Sequence, residues 1–159
     1  MLPMTLPATS TDVLAAAEQL PDGATLIVPE FSWDDYEGLL SRLGDRPGLR
    51  VSYDRGRLEI VSPSPRHERY ARVIDSLLLE FCTSRGLTIE MFGQATWKKR
   101  ELAKGVEADA CYYVRNAAAV IGKKDFSLES VPPVPPPDIA VEIDLTSQSR
   151  GKLPIYAAI

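Results

Sequence analysis

Two stretches of this 159-residue chain carry acids at alternating positions. In residues 105–111, strand alternation puts Glu107 and Asp109 on one face and Val106, Ala108 and Ala110 on the other. In residues 138–144, Ile139, Val141 and Ile143 make an apolar face, and Asp138, Ala140, Glu142 and Asp144 share the opposite one. If these strands are neighbours, Asp109, Glu142 and Asp144 converge. Two unit charges ~4 Å apart repel by roughly 1 kcal/mol in water and about 4 kcal/mol at an effective dielectric near 20. Such a cluster needs water, a shared proton or a cation. Hard oxygen donors in this number suit Mg²⁺, Mn²⁺ or Ca²⁺ and not zinc. An exposed acidic strand face shows the same alternation, so spacing alone leaves both readings open.

Lys152 follows Glu142 by ten residues. Beside a carboxylate-held metal, a lysine positions water or stabilises charge on a phosphate; alone it is equally a surface residue. His67 is the sole histidine, which excludes His₂ and His₃ metal sites and makes a Ser-His-Asp triad hard to build. Lying two residues after Pro65, it is either a capping or packing residue or a member of the site. Glu68 is a further candidate acid, or a first-turn partner of the helix dipole. Cys82 and Cys111 form neither a disulfide framework nor a zinc-ligand spacing. No glycine-rich phosphate loop is present. Trp33 and Trp97 read as core anchors.

The elements that must position these residues follow from periodicity and punctuation. A helix is expected over 12–20, stopped by Pro21-Asp22-Gly23, and a second over 33–43 with Ser32 as N-cap and Gly44 as its stop. Segments 49–53 and 57–61 flank Asp54-Arg55-Gly56 as a hairpin. A long helix over 67–84 has apolar residues at Tyr70, Val73, Ile74, Leu77, Leu78 and Phe81. Strands are expected at 88–92 and 95–98, paired with each other, and at 107–114 and 138–145. The proline-rich run 131–137 reads as a stiff extended connector. A last helix begins near 147, among the capping-type residues Thr146, Ser147 and Ser149. This order implies an α/β fold bordering on α+β, with one mixed β-sheet flanked by helices.

Length and composition fit one globular domain: 45% hydrophobic and 25% charged residues exclude a disordered chain, a coiled coil and a collagen-like rod. No apolar run spans a bilayer and no export signal is evident, so a cytoplasmic protein without a membrane partner is expected. The net charge of −4 is unevenly distributed: residues 66–104 carry +3, against −5 before and −2 after them. Arg66, Arg69, Arg72, Lys98, Lys99 and Arg100 are therefore candidates for facing an anion, or form a solvated face. Residues 152–159 end the sequence inside an apolar, helix-like stretch. The C-terminal part is thus expected to be truncated, leaving an apolar surface for a homodimer or other self-association to cover.

Four blocks together resemble the Uma-type restriction endonuclease family of bacteria: residues 57–68 (RLEIVSPSPRHE), 106–114 (VEADACYYV), 135–147 (PPPDIAVEIDLTS) and 152–158 (KLPIYAA). The resemblance covers about residues 31–159, leaving 1–30 as a variable lead-in. It implies a restriction-endonuclease-like fold of the PD-(D/E)XK superfamily, whose metal-dependent members cut phosphodiester bonds. Asp109 then matches the aspartate of the first catalytic strand and Glu142 the acid of the second. Asp144 occupies the usual lysine position, and Lys152 matches a lysine displaced onto the following helix. Ala108 replaces a common proline. Glu68, or else Glu59, would supply the additional acid. The resemblance implies Mg²⁺ or Mn²⁺ on Asp109, Glu142 and the Ile143 carbonyl, with DNA as substrate and partner. The displaced lysine leaves room for an impaired nuclease fold acting as an interaction or DNA-binding module, and paired acids alone also fit a glycosidase-type hydrolase.

Overall fold

In a computed structural model, residues 9–44, 48–93, 95–123, 133–145 and 148–159 are described. The Arg55-Gly56 turn has positive φ at both residues (46° and 93°), the twist that joins two right-handed strands without splaying them. It connects β2 (Arg50–Asp54) to β3 (Arg57–Val61). Around this hairpin a five-stranded antiparallel sheet is laid in the order β1-β3-β2-β6-β5, with β1 at Thr25–Val28, β5 at Thr96–Lys99 and β6 at Lys104–Glu107. A second antiparallel sheet has the order β4-β7-β8, from Glu90–Phe92, Ala110–Tyr113 and Ile139–Val141.

Helices α1 (Ser10–Ala17) and α2 (Trp33–Leu43) cover the first sheet. The Ser32 hydroxyl accepts the Asp35 N–H at 3.0 Å to start α2, and Gly44 at φ 52° ends it. Their inner residues Val13, Ala17, Tyr36, Leu39 and Leu43 pack on Val51, Tyr53, Leu58 and Ile60 of the hairpin. Residues 10–28 are thus folded onto the domain rather than trailing from it. A second core joins Trp97, Val106, Cys111, Tyr113 and Ile155 with α4 (Ala117–Val120), and Ile155 belongs to α5 (Leu153–Tyr156). Among the described residues no helix is long and apolar enough to cross a membrane.

The α+β class and the restriction-endonuclease-like arrangement hold, but the expected single mixed sheet is divided in two. The strand read at 107–114 is two pieces, β6 and β7, interrupted at Ala108-Asp109, where the chain passes from one sheet to the other. This handover also corrects the pairing of 88–92 with 95–98: β4 pairs with β7 and β5 with β6. It removes the alternation that placed Glu107 beside Asp109. Glu107 instead accepts the Val51 N–H at 2.9 Å and the Thr96 hydroxyl at 2.7 Å, inside the first sheet.

The longest helix, α3 (Pro65–Ser84), departs most from expectation. Its buried residues are His67, Ala71 and Cys82, whereas Tyr70, Val73, Leu77 and Phe81 are exposed. The apolar stripe is real, but only Ile74 and Leu78 of it are half-buried and the rest faces outward. The described part of the proline-rich run, 133–137, has no helix or strand, and the strand expected at 138–145 is only β8. Thr146 and Ser147 lie outside the described residues.

Candidate active site

Asp109 occupies the handover between β6 and β7, one residue before the pair Ala110–Val141. Its N–H donates to the Val141 carbonyl at 3.1 Å, so the register continues and brings Glu142 opposite it. The Asp109 carboxylate is buried, 4% exposed, and needs donors to offset its lost hydration. The Ile143 N–H donates to Oδ2 at 2.8 Å, and His67 Nε2 lies 3.0 Å from the same oxygen. A carboxylate only accepts, so Nε2 carries the proton. Arg50 Nε is 3.4 Å from Oδ1, and Arg50 Nη2 reaches Glu68 Oε1 at 2.8 Å. His67 is aimed by the helix start: Ser64 accepts the His67 N–H at 3.3 Å, and Pro65 opens α3.

Glu142 has its own donors. Lys152 Nζ donates to Oε2 at 2.7 Å, and the Tyr156 hydroxyl donates to Oε1. Burial raises the Glu142 pKa, Lys152 and Tyr156 oppose that rise, and nearby Asp109 adds to it. Burial, reinforced by Glu142, pushes the Tyr156 hydroxyl pKa far up, so it remains a donor. Asp144 does not enter this pair. Its Oδ1 accepts the Ser149 N–H at 2.9 Å and its Oδ2 the Ser149 hydroxyl at 3.3 Å. These bonds fix the start of the 3₁₀ turn Ser149–Lys152, which delivers Lys152 to Glu142. The acid in the usual lysine position thereby anchors the segment that supplies the lysine.

Between these groups lies a cavity of about 10 Å³, room for about one water molecule, lined by Arg50, Glu59, His67, Asp109, Glu142 and Lys152 among others. Among the described residues no group of three or more His, Cys, Asp or Glu side chains is set to hold a metal by itself. Asp109 and Glu142 supply two carboxylates of the hard-oxygen kind that Mg²⁺ and Mn²⁺ take. Magnesium is commonly held by one or two carboxylates, with waters and substrate phosphate completing its shell.

The structure thus brings together Asp109, Glu142, Ile143 and Lys152. Ile143 contributes an N–H to Asp109, a contact the expected carbonyl ligand did not include. Glu68 does not line the cavity and is linked to Asp109 through Arg50 and through His67, whose Nδ1 is 3.8 Å from Glu68 Oε1, whereas Glu59 does line it. None of the six basic candidates lines it. Arg66 lies 5.8 Å over the Tyr70 ring, Arg69 is exposed on the same helix, and Arg72 pairs with Asp75 at 2.9 Å. On β5, Lys98 pairs with Glu37 at 2.8 Å and Lys99 is half-buried, while Arg100 pairs with Asp34 at 3.0 Å and with Glu37. Arg50 and Tyr156 are site residues that the sequence alone does not single out, and for His67 it supports two roles. The Ser64-Pro65 helix start was the available signal for His67, since it fixes which residues face inward from the first turn.

An α+β domain with two acids at the ends of adjacent strands and a buried lysine against one of them has the build of a restriction-endonuclease-like protein. A family model described as Uma2, "putative restriction endonuclease", matches residues 33–159, and the chain belongs to that family, within the PD-(D/E)XK superfamily. Membership makes a nuclease the functional class it points to. Searches of the curated proteins and of the solved structures found no significant match.

Proposed function

We propose that this chain is a divalent-metal-dependent endodeoxyribonuclease that hydrolyses phosphodiester bonds of DNA. The observation that carries the reading is the juxtaposition of Asp109 and Glu142 across β7 and β8 with Lys152 on Glu142. Asp109 and Glu142 would hold Mg²⁺ or Mn²⁺, which when bound polarises a phosphate oxygen and lowers the pKa of water. The protein's own residues prepare that site. His67 and the Ile143 N–H fix one oxygen of Asp109, so the carboxylate is oriented before any ligand arrives. Lys152 balances the buried Glu142 charge and, lining the cavity, supplies a cation for the extra negative charge on a phosphate under attack. Tyr156 holds the other Glu142 oxygen, which restricts how that carboxylate can rotate.

A second reading, a nuclease fold kept as a DNA-binding or interaction module, is favoured by one observation. Both oxygens of each acid already face a group of the protein itself. Incubation of supercoiled plasmid with Mg²⁺ or Mn²⁺ decides between them. Nicking by the wild type, lost with chelator and in Asp109→Ala, is the expected outcome. Equal activity in wild type and Asp109→Ala overturns the nuclease assignment. Retained DNA binding without nicking supports the module.

A further inference from the structure

Beside the catalytic cavity runs a groove of about 370 Å³, lined by Ser52, Asp54, Arg57, Gln148, Arg150 and Lys152 among others. Three residues, Glu59, Gln148 and Lys152, line both spaces, so the groove opens directly onto the paired acids. Its charges do not cancel. Asp54 is already matched from outside the groove, by Arg55 at 2.9 Å and Lys104 at 3.2 Å. Glu59 is matched by Arg57 at 2.7 Å. Among the described residues no carboxylate pairs with Arg150, which is exposed. The groove therefore carries surplus positive charge at Arg150, with an exposed Arg57 guanidinium on the neighbouring strand.

We infer that this groove is the track for the phosphodiester backbone of duplex DNA, with Arg150 and Arg57 as its phosphate contacts. The inference rests on the nuclease reading and says which surface the substrate uses. Arginine presents a planar fork that takes two phosphate oxygens at once, and the Ser52 hydroxyl and Gln148 amide are further donors for the same chain of anions. A backbone in the groove passes the edge formed by Glu59 and Lys152, where the scissile phosphate meets the acids. What sets the basic residues of α3 and of segment 98–100 apart is location: none of Arg66, Arg69, Arg72, Lys98, Lys99 and Arg100 lines the groove or the cavity, and Arg72, Lys98 and Arg100 are paired there with acids of their own helix or of α2.

The test is fluorescence anisotropy of a labelled DNA duplex of about 30 base pairs, with Ca²⁺ as the metal and the salt varied from roughly 50 to 200 mM. Each phosphate contact contributes about one unit to the slope of log affinity against log salt. Arg150→Ala and Arg57→Ala are each expected to make that slope shallower by about 1, and together by about 2. Arg150→Lys and Arg57→Lys keep the charge and are expected to keep the slope, which separates lost contacts from misfolding. Arg72→Ala and Arg100→Ala are expected to match the wild type. An unchanged slope in both groove variants overturns the inference, as does a loss confined to Arg72→Ala or Arg100→Ala. If the wild type nicks plasmid while the groove variants keep their slope, only the groove is wrong. If the wild type neither binds the duplex nor nicks plasmid, the nuclease reading falls with it.

Discussion

Glu142 holds the conflict on which the site turns. Burial and the neighbouring Asp109 favour its protonated form, and Lys152 and Tyr156 favour the carboxylate; burial is the largest effect and the pKa stays raised. A cation takes only the carboxylate, so a proton competes for the same oxygens. Lowering the pH protonates Glu142 and weakens metal binding. Because its pKa lies above the ordinary glutamate value of 4.5, that loss is expected to begin at higher pH than for an exposed carboxylate pair. Calorimetric titration with Mn²⁺ from about pH 8 downward measures the midpoint. Tyr156→Phe removes a donor that favours the carboxylate, so its midpoint is expected to move to higher pH still. A midpoint that does not rise in that variant contradicts the assigned balance. At this scale the acids and Lys152 were legible from residue type and spacing. Arg50 was not, because a buried arginine on a strand gives no local sign that its partners are 18 and 59 residues away.

Delivery of Asp109 depends on β6, the strand that carries the chain out of the first sheet. Gly105, in the middle of β6, has no room for a side chain. A Cβ built there lies 2.8 Å from Cζ of Tyr36 and closer still to its hydroxyl. The Tyr36 ring cannot retreat, since it is stacked on Tyr53 at 4.8 Å and met edge-on by Trp33 at 5.2 Å. Gly105→Ala is expected to destabilise the fold by about 1–3 kcal/mol through overpacking, read as a lower thermal midpoint. The Tyr36 hydroxyl has no hydrogen-bond partner among the described residues. Tyr36→Phe in the Gly105→Ala background is therefore expected to recover part of the loss, and the double-mutant cycle measures the coupling. Elements closed by local chemistry were legible in sequence: Ser32 and Gly44 bound α2, and Asp54-Arg55-Gly56 makes the hairpin. The split of one long strand between two sheets was not, because β6 and β7 are buried at every position and burial on both faces erases alternation. The periodicity of α3 was also read correctly, yet a period reports that one face is apolar and not what covers it.

Across the molecule, the candidate site is assembled from distant parts: Arg50 from the hairpin, His67 from α3, Asp109 from the sheet handover, Glu142 after β8 and Lys152 from the 3₁₀ turn. Residues of or next to both sheets contribute to it, so a ligand held between Asp109 and Glu142 binds the folded chain and has no counterpart in the unfolded one. The net charge of −4 conceals this arrangement, because the acids of the site and the arginines of the groove largely offset one another in the sum. Binding only to the native state stabilises it by mass action, about 2.7 kcal/mol at a hundred times the Kd. For a domain of this size that corresponds to a rise in Tm of roughly 5–10 °C. Thermal melting with Mn²⁺ at that excess is expected to show the rise in the wild type and in Arg150→Ala, whose side chain belongs to the groove. Glu142→Ala is expected to lose it, since that variant removes one of the two carboxylates. An equal rise in Glu142→Ala would place the stabilising ion elsewhere on the chain. No rise in the wild type would deny the folded protein a metal site and leave the module reading in possession of the fold.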